Sequence, residues 1–199
     1  SKITTTVQTT TTQQVSIANE TAVSTTSSGT SVAQATAAAS SSQNQSKYEA
    51  NVASVAGKMD NRVIAAYQQL GFKLVVDPSV NYSGYFDARS RSITMKQIDD
   101  SVYHELGHFL AFIAGNVDKT ASFQSIFAAE KANVTAFNKA YVTQNASEYF
   151  AESVKDYILN NASLKSTRPQ TYAAVQNALN QITDAQIAKI QKIYGAFWN

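Results

Sequence analysis

The sequence predicts an α+β domain, a small β-sheet or hairpin followed by a mostly α-helical remainder, and three observations predict it. Runs suited to strands fall between residues 72 and 96, apolar residues recur at steps of three and four from residue 101 onward, and every aromatic residue lies after residue 46. The ten tyrosines, nine phenylalanines and single tryptophan are the material of a core, and they are confined to that part of the 199-residue chain. Residues 1–46 instead hold 22 Ser or Thr residues and only Lys2 and Glu20 as charges, so nothing there offsets the entropy of ordering. The expected organisation is a disordered Ser/Thr-rich tail over 1–46 and one folded domain over 47–199.

Within the domain, Tyr48, Val52, Val55, Met59, Val63, Tyr67 and Leu70 share one helical face, which predicts a helix of about 23 residues with Gly71 as its left-handed stop. Residues 72–76 are β-branched and apolar enough for a strand, ended by Asp77-Pro78 because Pro78 has no donor for a ladder. Residues 84–88 and 91–96 read as two strands of a hairpin turning at Arg89-Ser90, with Ile93 and Met95 alternating against Ser92 and Thr94. Asp99, Asp100 or Ser101 then caps a helix running through His104 to about Ala114. The later sets Phe123, Ile126, Phe127, then Val134, Phe137, Tyr141, then Phe150, Val154, Ile158, then Ile187, Ile190, Ile193 are all helical in period.

Composition excludes several functions. A net charge of +2 from 16 basic and 14 acidic residues, scattered without aromatic interleaving, argues against nucleic acid as a partner. With no cysteine there is neither a disulfide framework nor a thiolate metal site. No apolar run reaches membrane-span length and no signal-peptide pattern opens the chain, while a Ser/Thr/Gln tail is a common spacer composition in exported proteins. A secreted, extracellular location and a monomer are the expectations, the latter because no dimer-like stripe is evident.

The chemistry lies in Tyr103-His104-Glu105-Leu106-Gly107-His108-Phe109. Two histidines four apart on a helix project from one face, which lets both imidazoles reach one zinc ion, and a glutamate after the first is placed to take a proton from a metal-bound water. These are the only two histidines in the chain, and their falling four apart with an adjacent glutamate has a chance of roughly three in ten thousand in this composition. His104 and His108 are therefore read as ligands of one Zn²⁺, with Glu105 as the catalytic base. A third protein ligand is needed beside an open position. Ala111 and Ala114 stand where a Gly and a third histidine would extend the motif, so a carboxylate must supply it. Asp118, Glu130, Glu148, Glu152, Asp156 and Asp184 are the candidates. Glu148 and Glu152 share a helical face, an arrangement that makes sense if Glu148 binds zinc and Glu152 holds the far nitrogen of a ligand histidine. The alternatives are solvent-facing charges, or a capping box between Glu148 and Asn145.

His104-Glu-Leu-Gly-His108 followed by Glu148-Tyr-Phe-Ala-Glu152 resembles the anthrax lethal factor family of zinc metallopeptidases, and in particular its small secreted members, the Pro-Pro endopeptidases. The similarity runs on from about residue 119 to 177, notably in Lys119-Thr-Ala-Ser-Phe-Gln-Ser-Ile-Phe-Ala128 and Pro169-Gln-Thr-Tyr172. The resemblance implies a zincin-like fold carrying the HExxH helix and implies Glu148 as the third ligand. It also implies that Tyr141, seven residues before that ligand, donates a hydrogen bond to the developing oxyanion, a role a phenol can fill. One departure matters. The Pro-Pro endopeptidases carry a longer, tryptophan-bearing and Gly-rich segment ahead of the zinc helix, whereas residues 71–104 here hold only Asn81-Tyr-Ser-Gly-Tyr-Phe86 and the hairpin. Reaction and fold carry over better than a preference for Pro-Pro bonds.

Two functions of different class follow. One is a secreted endopeptidase that receives an extended peptide along the strand of Gly84, Tyr85 and Phe86 and cuts apolar or proline-containing segments of extracellular proteins. Tyr82, Tyr85 and Phe86 are the rings available to hold such a substrate. The other is a catalytically silent relative that only binds peptides, which would have no need of Glu105, Glu148, Glu152 and Tyr141 together.

Overall fold

A computed structural model describes residues 46–199. The Ser/Thr-rich segment read as a disordered tail lies, but for Ser46, outside the described residues. Elements follow in the order β1 (Tyr48–Ala50), α1 (Val52–Val55), α2 (Asn61–Gln69), β2 (Lys73–Val76), β3 (Gly84–Asp87), β4 (Ser92–Met95), α3 (Ser101–Ile113), α4 (Ala121–Glu130), α5 (Lys139–Val142), α6 (Ala146–Leu159), α7 (Asn161–Thr167), α8 (Pro169–Asn180) and α9 (Asp184–Trp198). Strands precede the larger helices, as an α+β arrangement requires.

The long first helix does not form. Tyr48–Ala50 is a strand, and the helical stretch is broken between Val55 and Asn61. Local chemistry explains both breaks. Asn51 Oδ1 accepts from the Ser54 amide and Asp60 Oδ1 from the Arg62 amide, so each starts its own helix, and Gly57 lies in the turn between them. Val52, Met59, Val63, Tyr67 and Leu70 are nonetheless buried and Val55 partly so, whereas Tyr48 is exposed on β1, so most of the apolar face was read correctly while its first residue and its backbone were not. Gly71 has φ 76° and ends the following turn as expected.

Four strands form one sheet in the order β1-β2-β4-β3. β1 runs antiparallel to β2, β2 parallel to β4, and β3 antiparallel to β4 with Gly84 opposite Met95 and Phe86 opposite Ile93. The hairpin turns through residues 88–91, where Arg91 takes φ 52°. β3 is an edge strand. Leu74, Val76, Ile93 and Met95 point into the core, where Tyr67, Phe72, Phe109 and Phe112 meet in tilted and edge-to-face pairs 4.9–6.3 Å apart.

The most extensive helix packing joins α3 to α6. Its closeness rests on Gly107, since a Cβ there would stand 2.7 Å from both Cα and the carbonyl oxygen of Ala151. Glycine in a helix interior costs about 1 kcal/mol relative to alanine, and here that cost lets two backbones touch. On its other side α6 is fixed by buried polar contacts. Glu130 accepts from the Thr171 amide and hydroxyl at 2.8 and 2.6 Å, the Tyr149 and Thr171 hydroxyls lie 2.6 Å apart, and Arg168 reaches Ser153 Oγ at 3.1 Å and pairs with Asp156.

Candidate metal centre

The approach of α3 to α6 brings the two motifs of the sequence together. His104 Nε2 is 3.0 Å from Glu148 Oε2, and His108 Nε2 is 3.5 Å from the same oxygen. One ligand atom from each of the three residues lies within 4.8 Å of the other two. Two ligand atoms about 2.1 Å from a tetrahedral ion stand about 3.4 Å apart, so the spacing fits one small ion, and two imidazoles with a carboxylate are donors that suit zinc. Glu152 Oε2 holds His104 Nδ1 at 2.8 Å, which fixes the ring so that Nε2 faces Glu148.

Each position has a local cause. His104 and His108 share a face of α3, and their rings stand edge to face at 5.0 Å. Asp99, just outside that helix, accepts from the Ser101 amide at 2.9 Å, although Asp100 is the last residue before the helix and makes no side-chain cap. Asn145 caps α6 by accepting from the Glu148 amide at 2.8 Å. The carboxylate of Glu148 is therefore in the first turn of α6, and it turns to the histidines rather than back to Asn145. The other acidic candidates lie elsewhere: Asp118 is buried against Ser147, Glu130 is buried against Thr171, Asp156 pairs with Arg168, and Asp184 is exposed at the start of α9.

Glu105 is buried beside the edge strand, where a Cβ on Gly84 would sit 2.8 Å from its Oε1. Gly84 is what leaves room for that carboxylate. Phe86 turns its ring inward, stacked at 6.5 Å on His108 and at 6.0 Å on Phe72. That leaves Tyr82 and Tyr85, 5.9 Å apart, as the exposed rings of this strand. Tyr141, on α5, is 54% exposed and lines a cavity of about 330 Å³ together with His104, Glu105, Glu152 and Gly84. Ser101, Asn138 and Lys155 line the same cavity; the sequence had marked Ser101 only as a possible helix cap and the other two not at all. For Lys155 the signal was present, because it lies three residues after Glu152 on a helix and its Nζ stands 3.6 Å from Glu152 Oε1.

The electrostatics are those of a tightly paired site. Burial works against a charge on His104, yet Glu148 and Glu152 hydrogen-bond it and hold it up at about 9. Burial likewise opposes ionisation of Glu148, and the bonds to His104 and His108 outweigh it, keeping the carboxyl well below the usual range. Glu152 is lowered in the same way, against its burial, by His104 and Lys155. Glu105 goes in the opposite direction, because burial raises it more than the two histidines lower it. Burial, then the negative charges of Glu148 and Glu105, raise Tyr141, so it stays a protonated donor.

Comparison with known proteins finds relatives over the same segment. Residues 88–178 match the family model described as anthrax toxin lethal factor, N- and C-terminal domain, a segment that contains both histidines, Glu105, Glu148, Glu152 and Tyr141. Over 78 residues, 37% of this chain, the sequence is 41% identical to a protein named Pro-Pro endopeptidase from Clostridioides difficile (strain 630). That match covers 34% of the relative, so the chain spans about a third of the length of the curated protein it matches. The chain is related to the lethal factor-like proteins and to the Pro-Pro endopeptidase.

Proposed function

We propose that the chain is a secreted zinc-dependent endopeptidase of zincin-like fold, its domain spanning 47–199, with His104, His108 and Glu148 as metal ligands. The observation that carries the reading is the convergence of those three ligand atoms at one point, beside a cavity that His104 lines together with Glu105 and Tyr141. Bound zinc supplies a Lewis acid and lowers the pKa of a coordinated water to about 7. Glu105, raised above the ordinary carboxylate range, takes one proton from the attacking water and returns it to the amine nitrogen as the C–N bond breaks. Tyr141, kept as a phenol, donates a hydrogen bond to the carbonyl oxygen as it gains negative charge. Glu152 keeps the His104 ring aligned through Nδ1.

The substrate reading rests on β3. The Lys96 amide donates to Ser83 O, so the pairs 83/96, 85/94 and 87/92 are the hydrogen-bonded ones, and the backbone N–H and C=O of Gly84 and Phe86 are directed away from β4. The Phe86 amide interacts with Glu105. The remaining outward groups suit an added strand, which favours extended peptides. The exposed Tyr82 and Tyr85 favour apolar or proline-containing segments of extracellular proteins. Among the described residues no helix is long and apolar enough to cross a membrane.

Glu105→Gln is the decisive experiment. It should keep one zinc per chain by metal analysis and lose several orders of magnitude in turnover of a peptide library, since it removes the base and no ligand. A wild-type protein that binds zinc and peptides but cleaves none would be the silent relative instead. Glu148→Ala should weaken zinc binding strongly and Glu152→Ala by roughly 10–100-fold, and the reverse order would exchange their roles.

A further inference from the structure

In the cavity beside the metal centre, one donor and one acceptor have no part in the reaction proposed above. Lys155 and Glu152 both line that cavity, three residues apart on α6, with Lys155 Nζ 3.6 Å from Glu152 Oε1. At that length the contact is an ion pair and too long for a full hydrogen bond. The other oxygen of Glu152 holds His104 Nδ1, so Oε1 keeps room for a further donor and the Lys155 ammonium for a further acceptor. The Ser101 hydroxyl in the same wall already donates to Asp99.

What could engage both groups follows from their chemistry. Lys155 donates only, and Glu152, held below the ordinary carboxylate range, accepts only. A ligand that matches the pair presents an acceptor and a donor side by side, as a primary carboxamide does. A carboxylate would satisfy Lys155 but face Glu152, an ammonium would do the reverse, and an apolar group would leave both without a partner while shutting out water. The pair stands one imidazole ring from the metal centre, since Glu152 Oε2 holds His104 Nδ1 at 2.8 Å and Nε2 of that ring faces Glu148. One cavity of about 330 Å³ holds Glu105, Tyr141 and the pair together, so a side chain that reaches the pair belongs to a residue next to the bond being cut.

The geometry points to a subsite for a carboxamide side chain, asparagine or glutamine, at one of the two residues that flank the cut. Its carbonyl accepts from Lys155 Nζ and its N–H donates to Glu152 Oε1. The inference rests on the endopeptidase reading of this cavity and adds one polar requirement to a substrate whose other side chains meet Tyr82 and Tyr85. In this role Lys155 determines specificity, and Glu152 keeps one oxygen for His104 and turns the other to the substrate.

The test uses the full chain at saturating zinc and versions of one cleaved peptide that carry Gln, Glu or Met in turn at each residue flanking the cut. These side chains are close in size, so they differ in what they offer the pair. At one of the two positions kcat/KM should favour Gln over Glu and over Met by about tenfold, the scale of one or two hydrogen bonds in a cavity open to water. Lys155→Met should shrink the preference for Gln over Met and enlarge that for Gln over Glu, because the carboxylate then meets Glu152 with no cation beside it. No preference at either position, a preference for Glu over Gln, or ratios unchanged in Lys155→Met would each overturn the subsite. So would a Lys155→Met protein that loses the same factor on all the peptides, since Lys155 would then act on the metal centre through Glu152 and not on the substrate. Failure of the wild-type protein to cleave any of them overturns the endopeptidase reading instead. Calorimetric binding of the same peptides to the zinc-loaded chain then decides the subsite, with tighter binding of the Gln peptide supporting it and equal binding of all three overturning it.

Discussion

Between α3 and α6 the chain packs backbone on backbone, with no room for a Cβ at Gly107, and holds Glu148 within reach of both histidines and Glu152 against His104. Beside the same site it leaves Tyr82, Tyr85 and Tyr141 in water. The seam is expensive to disturb and carries the groups whose spacing must be held to a few tenths of an ångström. The rim is inexpensive to change and carries the groups proposed to meet substrate. Substitutions at the rim should therefore act on rate without touching stability, whereas those in the seam should move stability, metal and rate together.

The largest expected effect is at the rim. Tyr141→Phe removes one hydroxyl from a half-exposed ring, so the melting temperature and zinc content should stay within error while turnover falls by about 10²–10³. Circular dichroism melts, metal analysis and steady-state kinetics on one preparation decide it. An unchanged turnover number would take Tyr141 out of the mechanism, and a large fall in melting temperature would place it with the seam.

Gly107→Ala probes the seam and its sign is diagnostic. In an ordinary helix interior this change stabilises by up to about 1 kcal/mol. Here the new Cβ meets the Ala151 backbone, which has no flexible end to yield, so a loss of about 1–3 kcal/mol is expected in denaturant titration. Zinc affinity should fall with it, because the helices that part are the ones carrying His104, His108 and Glu148. A stabilised Gly107→Ala protein would show that the two helices are not in close contact.

The same division explains what the sequence disclosed. His104, Glu105 and His108 were legible because one helix fixes their spacing, and Glu148 with Glu152 because another does. That the two helices meet is a property of Gly107 and Ala151, and a single glycine in a helical pattern signals only that some packing reason exists. The first helix was misread because the apolar period of residues 48–70 continues across Asn51 and Asp60, whose capping carboxamide and carboxylate end what the period alone would extend. The parallel pairing of β2 with β4, and hence the place of β3 at the edge, is a long-range choice that no local pattern records. Lys155 and Ser101 lie one helical turn from Glu152 and His104 and were legible in principle, whereas Asn138 joins the cavity only through the tertiary fold.

The smallest effect expected is in pH dependence, and it belongs to the seam alone. His104 is held at about 9, above its ordinary 6.5, so the stability it contributes is fully present below pH 6.5 and is lost as pH rises through 9. Glu148 is lowered from 4.5, so its contribution is present above pH 4.5 and is lost only as the solution becomes strongly acidic. Chelator-treated protein should accordingly melt highest between pH 4.5 and 6.5 and decline gradually toward pH 9. Zinc requires His104 Nε2 without its proton, so the zinc-saturated protein should not share that decline, and the gap between the two melting curves should widen from pH 6.5 to 9. Tyr141 has no part in this window, because its shift is upward from 10 and leaves it protonated throughout. A decline of equal size in both forms would mean that the titrating group lies outside the metal centre. An unchanging curve for the chelator-treated protein would mean that His104 is not paired with Glu148 in solution.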